Sequence, residues 1–151
     1  MMSRQRQAGV TLIEVLISLL ILGIGILGAA ALQLNALKYT DSSTLSTQAS
    51  FIAYDMMDRI RANPGGDYVL ASLDNAPTSP NLNSPRDQDL YDFANNLKST
   101  MGASTTGSIA IVNRVVTITI VWNDARAANV VGTQQTFTLT SRVIADPVAG
   151  T

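Results

Sequence analysis

The chain has 151 residues, with 10 Lys+Arg against 11 Asp+Glu, no His and no Cys. That length suits one modest domain with an extension. A formal net charge of −1 gives no general electrostatic footprint for nucleic acid, and direct nucleic-acid binding is not expected. The absence of Cys and His excludes disulfides, thiolate chemistry and the Ser–His and Cys–His nucleophilic arrangements. A transition-metal site built from carboxylates alone finds no suitable spacing. The composition points away from an enzyme, and no catalytic, cofactor or metal site is expected.

The first element is almost unbroken apolar sequence. Between Val10 and Ala31 the only side-chain polar atoms belong to Thr11, Glu14 and Ser18. As a helix this run is about 33 Å long and matches a hydrocarbon core of about 30 Å. Arg4 and Arg6 precede it and no acid does, a bias that keeps residues 1–9 cytoplasmic. A secretory signal peptide also starts basic and apolar, and Ala29–Ala31 offer small residues for cleavage. Such a signal has an apolar region of about 7–15 residues, shorter than this run. A carboxylate inside lipid costs about 2.5–3.5 kcal/mol at a helix centre and less near an end. Glu14 therefore needs a reason, and an ordinary anchor or signal supplies none.

The stretch GVTLIEVLISLLILGIGILG resembles the amino-terminal segment of type IV prepilins and type II secretion pseudopilins. The resemblance implies removal of residues 1–9 by a prepilin peptidase cutting between Gly9 and Val10, then N-methylation of Val10. Val10 departs from the commoner Phe or Met. Glu14 becomes the fifth mature residue and pairs, on the family model, with the terminal amine of an adjacent subunit. At about 4 Å such a pair is worth roughly 4 kcal/mol at an effective dielectric near 20, before desolvation. Gly23, Gly25 and Gly28 form a soft spot, each costing a helix about 1 kcal/mol relative to Ala. They suit either close helix packing or, as the resemblance implies, local stretching in the fibre. Many major pilins have a Pro where Ala31 stands.

Beyond the run, apolar residues recur at Leu34, Leu37, Leu45, Ala49, Ile52, Met56 and Ile60, one stripe of an amphipathic helix. Asp41, Ser42, Asp55, Asp58 and Arg59 lie on the other face. Arg59 and Arg61 suit the last turn, and Pro64-Gly65-Gly66 stops it. No Pro interrupts residues 10–63, so one helix of about 80 Å is expected. It divides into a membrane or filament-core half, 10–32, and an amphipathic half, 33–63. The string AYDMMDRIRANP (Ala53 to Pro64) resembles the helix end of PilV-type minor pilins, the type IV pilus modification group. Asp55–Arg59 and Asp58–Arg61 also allow i,i+4 and i,i+3 pairs worth tenths of a kcal/mol.

Residues 64–107 read as a loop with one short helix at about 86–100, capped by Ser84 and Pro85. Leu90, Phe93, Ala94, Leu97 and Met101 form its apolar face. Asp87, Asp89 and Asp92 lack the spacing and glycine of a calcium loop and read as a solvated acidic helix start. Residues 108–145 switch to period two. Val116, Ile118, Ile120 and Trp122 share one face; Phe137, Leu139 and Val143 alternate with Thr136, Thr138, Thr140 and Arg142. SIAIV precedes them, turning at Asn113-Arg114. The tail, 146–151, lacks the disulfide of many pilins and is expected to be loose.

The expected class is α+β: a helix at about 10–63 on an antiparallel sheet of three to four strands. The resemblance implies a minor pilin acting with other minor pilins, the major pilin and an inner-membrane assembly platform. It would sit as a single span in the inner membrane, head outward, before joining a pilus that supports twitching, adhesion or DNA uptake. A type II secretion pseudopilin is the nearest rival. A membrane-tethered periplasmic enzyme or binding domain is another, as is an exported soluble protein.

Overall fold

The computed structural model describes residues 9–124 and 133–143. The expected leader, most of the link between the last two strands, and the tail lie outside these residues. In chain order the elements are α1 (Leu12–Ala62), a 3-10 turn (Leu73–Asn75), α2 (Pro85–Met101), β1 (Thr106–Val112), β2 (Val115–Asn123) and β3 (Gln134–Arg142). The long amino-terminal helix and small antiparallel sheet make the expected α+β fold. The sheet has three strands in the order β1-β2-β3. Contacts divide the chain into two units, Met1–Tyr39 and Thr40–Thr151.

In the first unit no side chain of the apolar helical run is buried. Its best 18-residue window has a mean hydropathy of 2.7, enough in length and composition to cross a membrane. A helix apolar on every side has no polar face to leave in water.

The second unit is the head. Ala49, Ala53, Met56, Met57 and Ile60 of α1 share one core with Leu90, Phe93, Leu97 and Met101 of α2 and with Ile109, Val116, Ile118, Ile120 and Trp122 of the sheet. Small Ala49 and Ala53, both fully buried, let neighbouring elements approach the helix closely. Leu34 and Leu37 carry the same periodicity but are 61% and 63% exposed. The stripe is put to use only from Leu45, which is half-buried. Periodicity marks which face is apolar, not how much of it the chain covers.

β2 is the central strand, and its alternate residues Val116 to Trp122 are buried as the period-two pattern requires. β1 pairs with it from Thr106↔Val121 to Val112↔Val115, and β3 from Asn123↔Gln134 to Val115↔Arg142. The inner face of β3 is only half-buried, at Phe137, Leu139 and Ser141. The loop after α1 is less loop-like than its composition indicates. Leu70 exchanges backbone hydrogen bonds with Ile109, at 2.9 and 2.8 Å, along the outer edge of β1. Tyr68, Leu70, Leu73 and Ala76 enter the core. Pro, Asn and Ser around them hid a short period-two run.

α2 begins as the sequence indicates: the Ser84 hydroxyl accepts from the Asp87 amide, and Pro85 takes the first turn. It stops at Gly102, whose φ of 101° favours glycine.

The β1–β2 hairpin closes through Asn113 and Arg114, with φ of 50° and 66°. A two-residue turn with both central φ values positive matches the strand twist, and glycine is the favoured second residue. Arg114 holds that position at a cost of roughly 1 kcal/mol. Replacing it with glycine should therefore stabilise the head by about 1 kcal/mol. Thermal melts of the two proteins check this; an unchanged or lowered melting temperature would mean that Arg114 carries compensating contacts.

Candidate assembly site

Gly9, Val10 and Thr11 precede the helix, which opens at Leu12. The Thr11 carbonyl accepts from the Glu14 and Val15 amides at 3.0 and 3.3 Å, so Thr11 begins the helical ladder. Glu14 falls in the first turn, where a carboxylate suits the positive end of the helix dipole. The Ser18 hydroxyl donates to the Glu14 carbonyl at 2.7 Å, a local bond that leaves Ser18 costing little in an apolar run. Among the described residues the Glu14 carboxylate has no ion-pair partner. Any counter-charge for it must come from outside these residues.

The helix continues without interruption through Gly23, Gly25 and Gly28. A methyl group added at any of the three would meet nothing within 4 Å. Packing inside this chain therefore does not demand glycine at these positions.

A second constellation joins the end of α1 to α2. The Arg59 guanidinium donates to Asp55 at 2.9 Å, Asp89 at 2.9 Å and Asp92 at 3.1 Å. Tyr68 donates its phenol to the other oxygen of Asp89 at 2.7 Å and accepts from Asn63 at 3.1 Å. Gln88 holds the second oxygen of Asp92. The Asp89 hydrogen bond, opposed by partial burial, raises the Arg59 pKa further above its ordinary value. Burial, then the bond to Asp89, raises the Tyr68 phenol. The Arg86 guanidinium beside Asp87 lowers that carboxyl, and Arg86 also reaches the Asp67 carbonyl.

The three acids at the start of α2 are thus not merely a solvated helix start. Asp89 and Asp92 converge on Arg59, which faces them from the other helix. The i,i+4 pair of Arg59 with Asp55 forms as the spacing indicated, but it is one contact of three. The i,i+3 pair of Arg61 with Asp58 forms too, at 2.9 Å, and Arg61 also reaches Ser141 on β3 at 2.8 Å. Ser42, placed by the sequence on the polar face, donates to the buried Asp124 at 2.5 Å. Local spacing could not reveal these long-range partners. Among the described residues no group of His, Cys, Asp or Glu is placed to hold a metal ion.

Residues 4–30 match the family model described as the prokaryotic N-terminal methylation motif. No curated protein and no solved structure matches the chain. The matched segment contains Gly9, Val10, Glu14 and the three glycines, and its apolar portion is uncovered on every side. The motif implies processing by a prepilin peptidase and assembly with other pilins, and it marks a protein of the type IV pilin-like or pseudopilin kind.

Proposed function

We propose that the chain is a PilV-type minor pilin of a bacterial type IV pilus. It starts as an inner-membrane protein with residues 1–9 cytoplasmic and its head on the other side. A prepilin peptidase cuts after Gly9 and methylates Val10. Loss of Arg4 and Arg6 moves the formal net charge from −1 to about −3 at pH 7. Val10 to Leu32 then leave the bilayer for the fibre core, where Glu14 pairs with the amine of a neighbouring subunit and Gly23, Gly25 and Gly28 let the helix stretch. The partners are other minor pilins, the major pilin and the assembly platform. The product is a priming or tip complex that promotes pilus assembly, and through it twitching, adhesion or DNA uptake. The work is mechanical, and no chemistry by this chain is required.

One observation carries this reading: a methylation motif at residues 4–30 whose apolar helical side chains are all uncovered and whose one acid, Glu14, lacks an ion-pair partner among the described residues. The motif equally suits a minor pseudopilin of type II secretion; the Ala53–Asn63 string favours the pilus. The test is the intact mass of membrane-extracted protein, with and without co-expressed prepilin peptidase. Peptidase-dependent loss of residues 1–9 is expected. A product beginning after Ala31, or an uncut chain, would refute assembly. Complementation then separates the two systems: deletion should abolish surface pili and leave protein secretion intact.

A further inference from the structure

Between the 3-10 turn and α2 the head has an open cleft of about 350 Å³, at the small end of the range that holds small molecules. Buried Leu73 from the turn and buried Ala94 from α2 give it an apolar floor. Tyr91, Asn95 and Lys98 line it from α2, four and three residues apart and so along one helical stripe. Asp74 and Thr78 belong to the other wall.

The hydrogen-bonding groups of this cleft are unspent. Among the described residues the Thr78 hydroxyl, the Tyr91 phenol and the Asn95 amide meet no partner. Earlier on the same helix, by contrast, Gln88, Asp89 and Asp92 are all engaged. Lys98 reaches Asp74 at 3.4 Å, with side chains 43% and 83% exposed, a pair that contributes little to stability. The two charges offset one another, so the cleft offers donors and acceptors without a net charge.

That lining selects its ligand. A polyanion would meet a carboxylate beside the ammonium it needs. A fatty chain would cover the polar rim and leave it without partners. A peptide main chain seeks an open strand edge, and neither wall here is a strand. A sugar ring meets each condition. It carries no charge, its C–H face suits the electron-rich face of half-buried Tyr91, and its hydroxyls both donate and accept.

We propose that this cleft binds a neutral saccharide, with one ring stacked on Tyr91 and its hydroxyls held by Asn95, Thr78 and the Lys98–Asp74 pair. The proposal goes beyond the assembly reading and does not rest on it, because every residue it uses belongs to the head.

The test is sugar binding by the full-length chain in phospholipid nanodiscs, with empty nanodiscs as the blank. Saturation-transfer NMR is read with the methyl glycosides of glucose, galactose, mannose and N-acetylglucosamine as probes. At least one should bind with a Kd on the order of 1 mM, the strength that a single ring in an open cleft supports. Tyr91→Ala should weaken it at least about tenfold, and Asn95→Ala, at an exposed position, at least about threefold. Tyr91→Phe keeps the ring and should lose less than Tyr91→Ala. Thermal melts of the same samples should be unchanged for Asn95→Ala and Tyr91→Phe, which keeps the comparison free of folding. The proposal is overturned if no glycoside binds, or if Tyr91→Ala and Asn95→Ala bind as well as the parent. It is also overturned if Tyr91→Phe loses as much as Tyr91→Ala, which removes the stacking. Tighter binding of methyl glucuronide than of its neutral counterpart would make the cleft an anion site on Lys98 and overturn it too.

Discussion

Replacing Arg59 with Met should lower the unfolding free energy of the head by about 2–3 kcal/mol. Removing one partner of a buried ion pair costs about 3–5 kcal/mol, because the remaining charge loses its compensation. The Arg59 side chain is 33% exposed, so solvent screens part of that loss. Asp89, at 15% exposed, bears most of the remainder and also holds the Tyr68 phenol. Asp55→Ala, by contrast, breaks only the exposed i,i+4 pair and should cost under about 0.5 kcal/mol. Thermal and denaturant unfolding of a soluble piece beginning near Leu34 measures both. Equal costs would mean that Arg59 acts only within its own helix. The network also has a pH signature. Tyr68 titrates above its ordinary value in the folded head, so its share of stability is complete below the unfolded pKa of about 10. That share is lost as pH rises through the higher folded value. Tyr68→Phe should remove this alkaline decline.

Glu14→Ala should leave peptidase cleavage intact and cut incorporation into sheared pili at least about tenfold, the effect of 1.4 kcal/mol of lost pairing. In lipid the substitution is favourable, because an unmatched carboxylate there is costly. The same change is unfavourable in the fibre if the acid aligns subunits by meeting a neighbour's amine. Membrane level and pilus level should thus move apart: undiminished in the membrane, depleted in the fibre. Immunoblots of the two fractions read this directly. Equal incorporation would refute the alignment role, and lost cleavage would place Glu14 in peptidase recognition instead.

Local periodicity made the elements legible. The 3.6-residue stripe from Leu45 to Ile60, the cap at Ser84-Pro85 and the alternation from Val116 to Trp122 each reflect a constraint satisfied within a few residues. They therefore survive without knowledge of the fold. The loop from Tyr68 to Ala76 did not read as core, because its order comes from the edge of β1, about forty residues further along. Asp89 and Asp92 looked solvated for the same reason: their cation sits on another helix. The string AYDMMDRIRANP was conspicuous as a resemblance, and its charged residues now have places. Arg59 faces α2 and holds Asp55 along its own helix, Arg61 reaches β3, and Asn63 supports Tyr68. The candidate assembly segment was legible for a different reason. None of its apolar side chains is buried, so its pattern does not record packing within its own unit.

The head half of α1 is fastened to the sheet at both ends. Ser42 meets Asp124, just past β2 where Asn123 pairs with Gln134. Arg61 meets Ser141, where β3 pairs with Val116. The two clasps lie about 28 Å apart along the helix. A pull along the helix axis must therefore load both together, in shear, rather than opening one after the other like a zip.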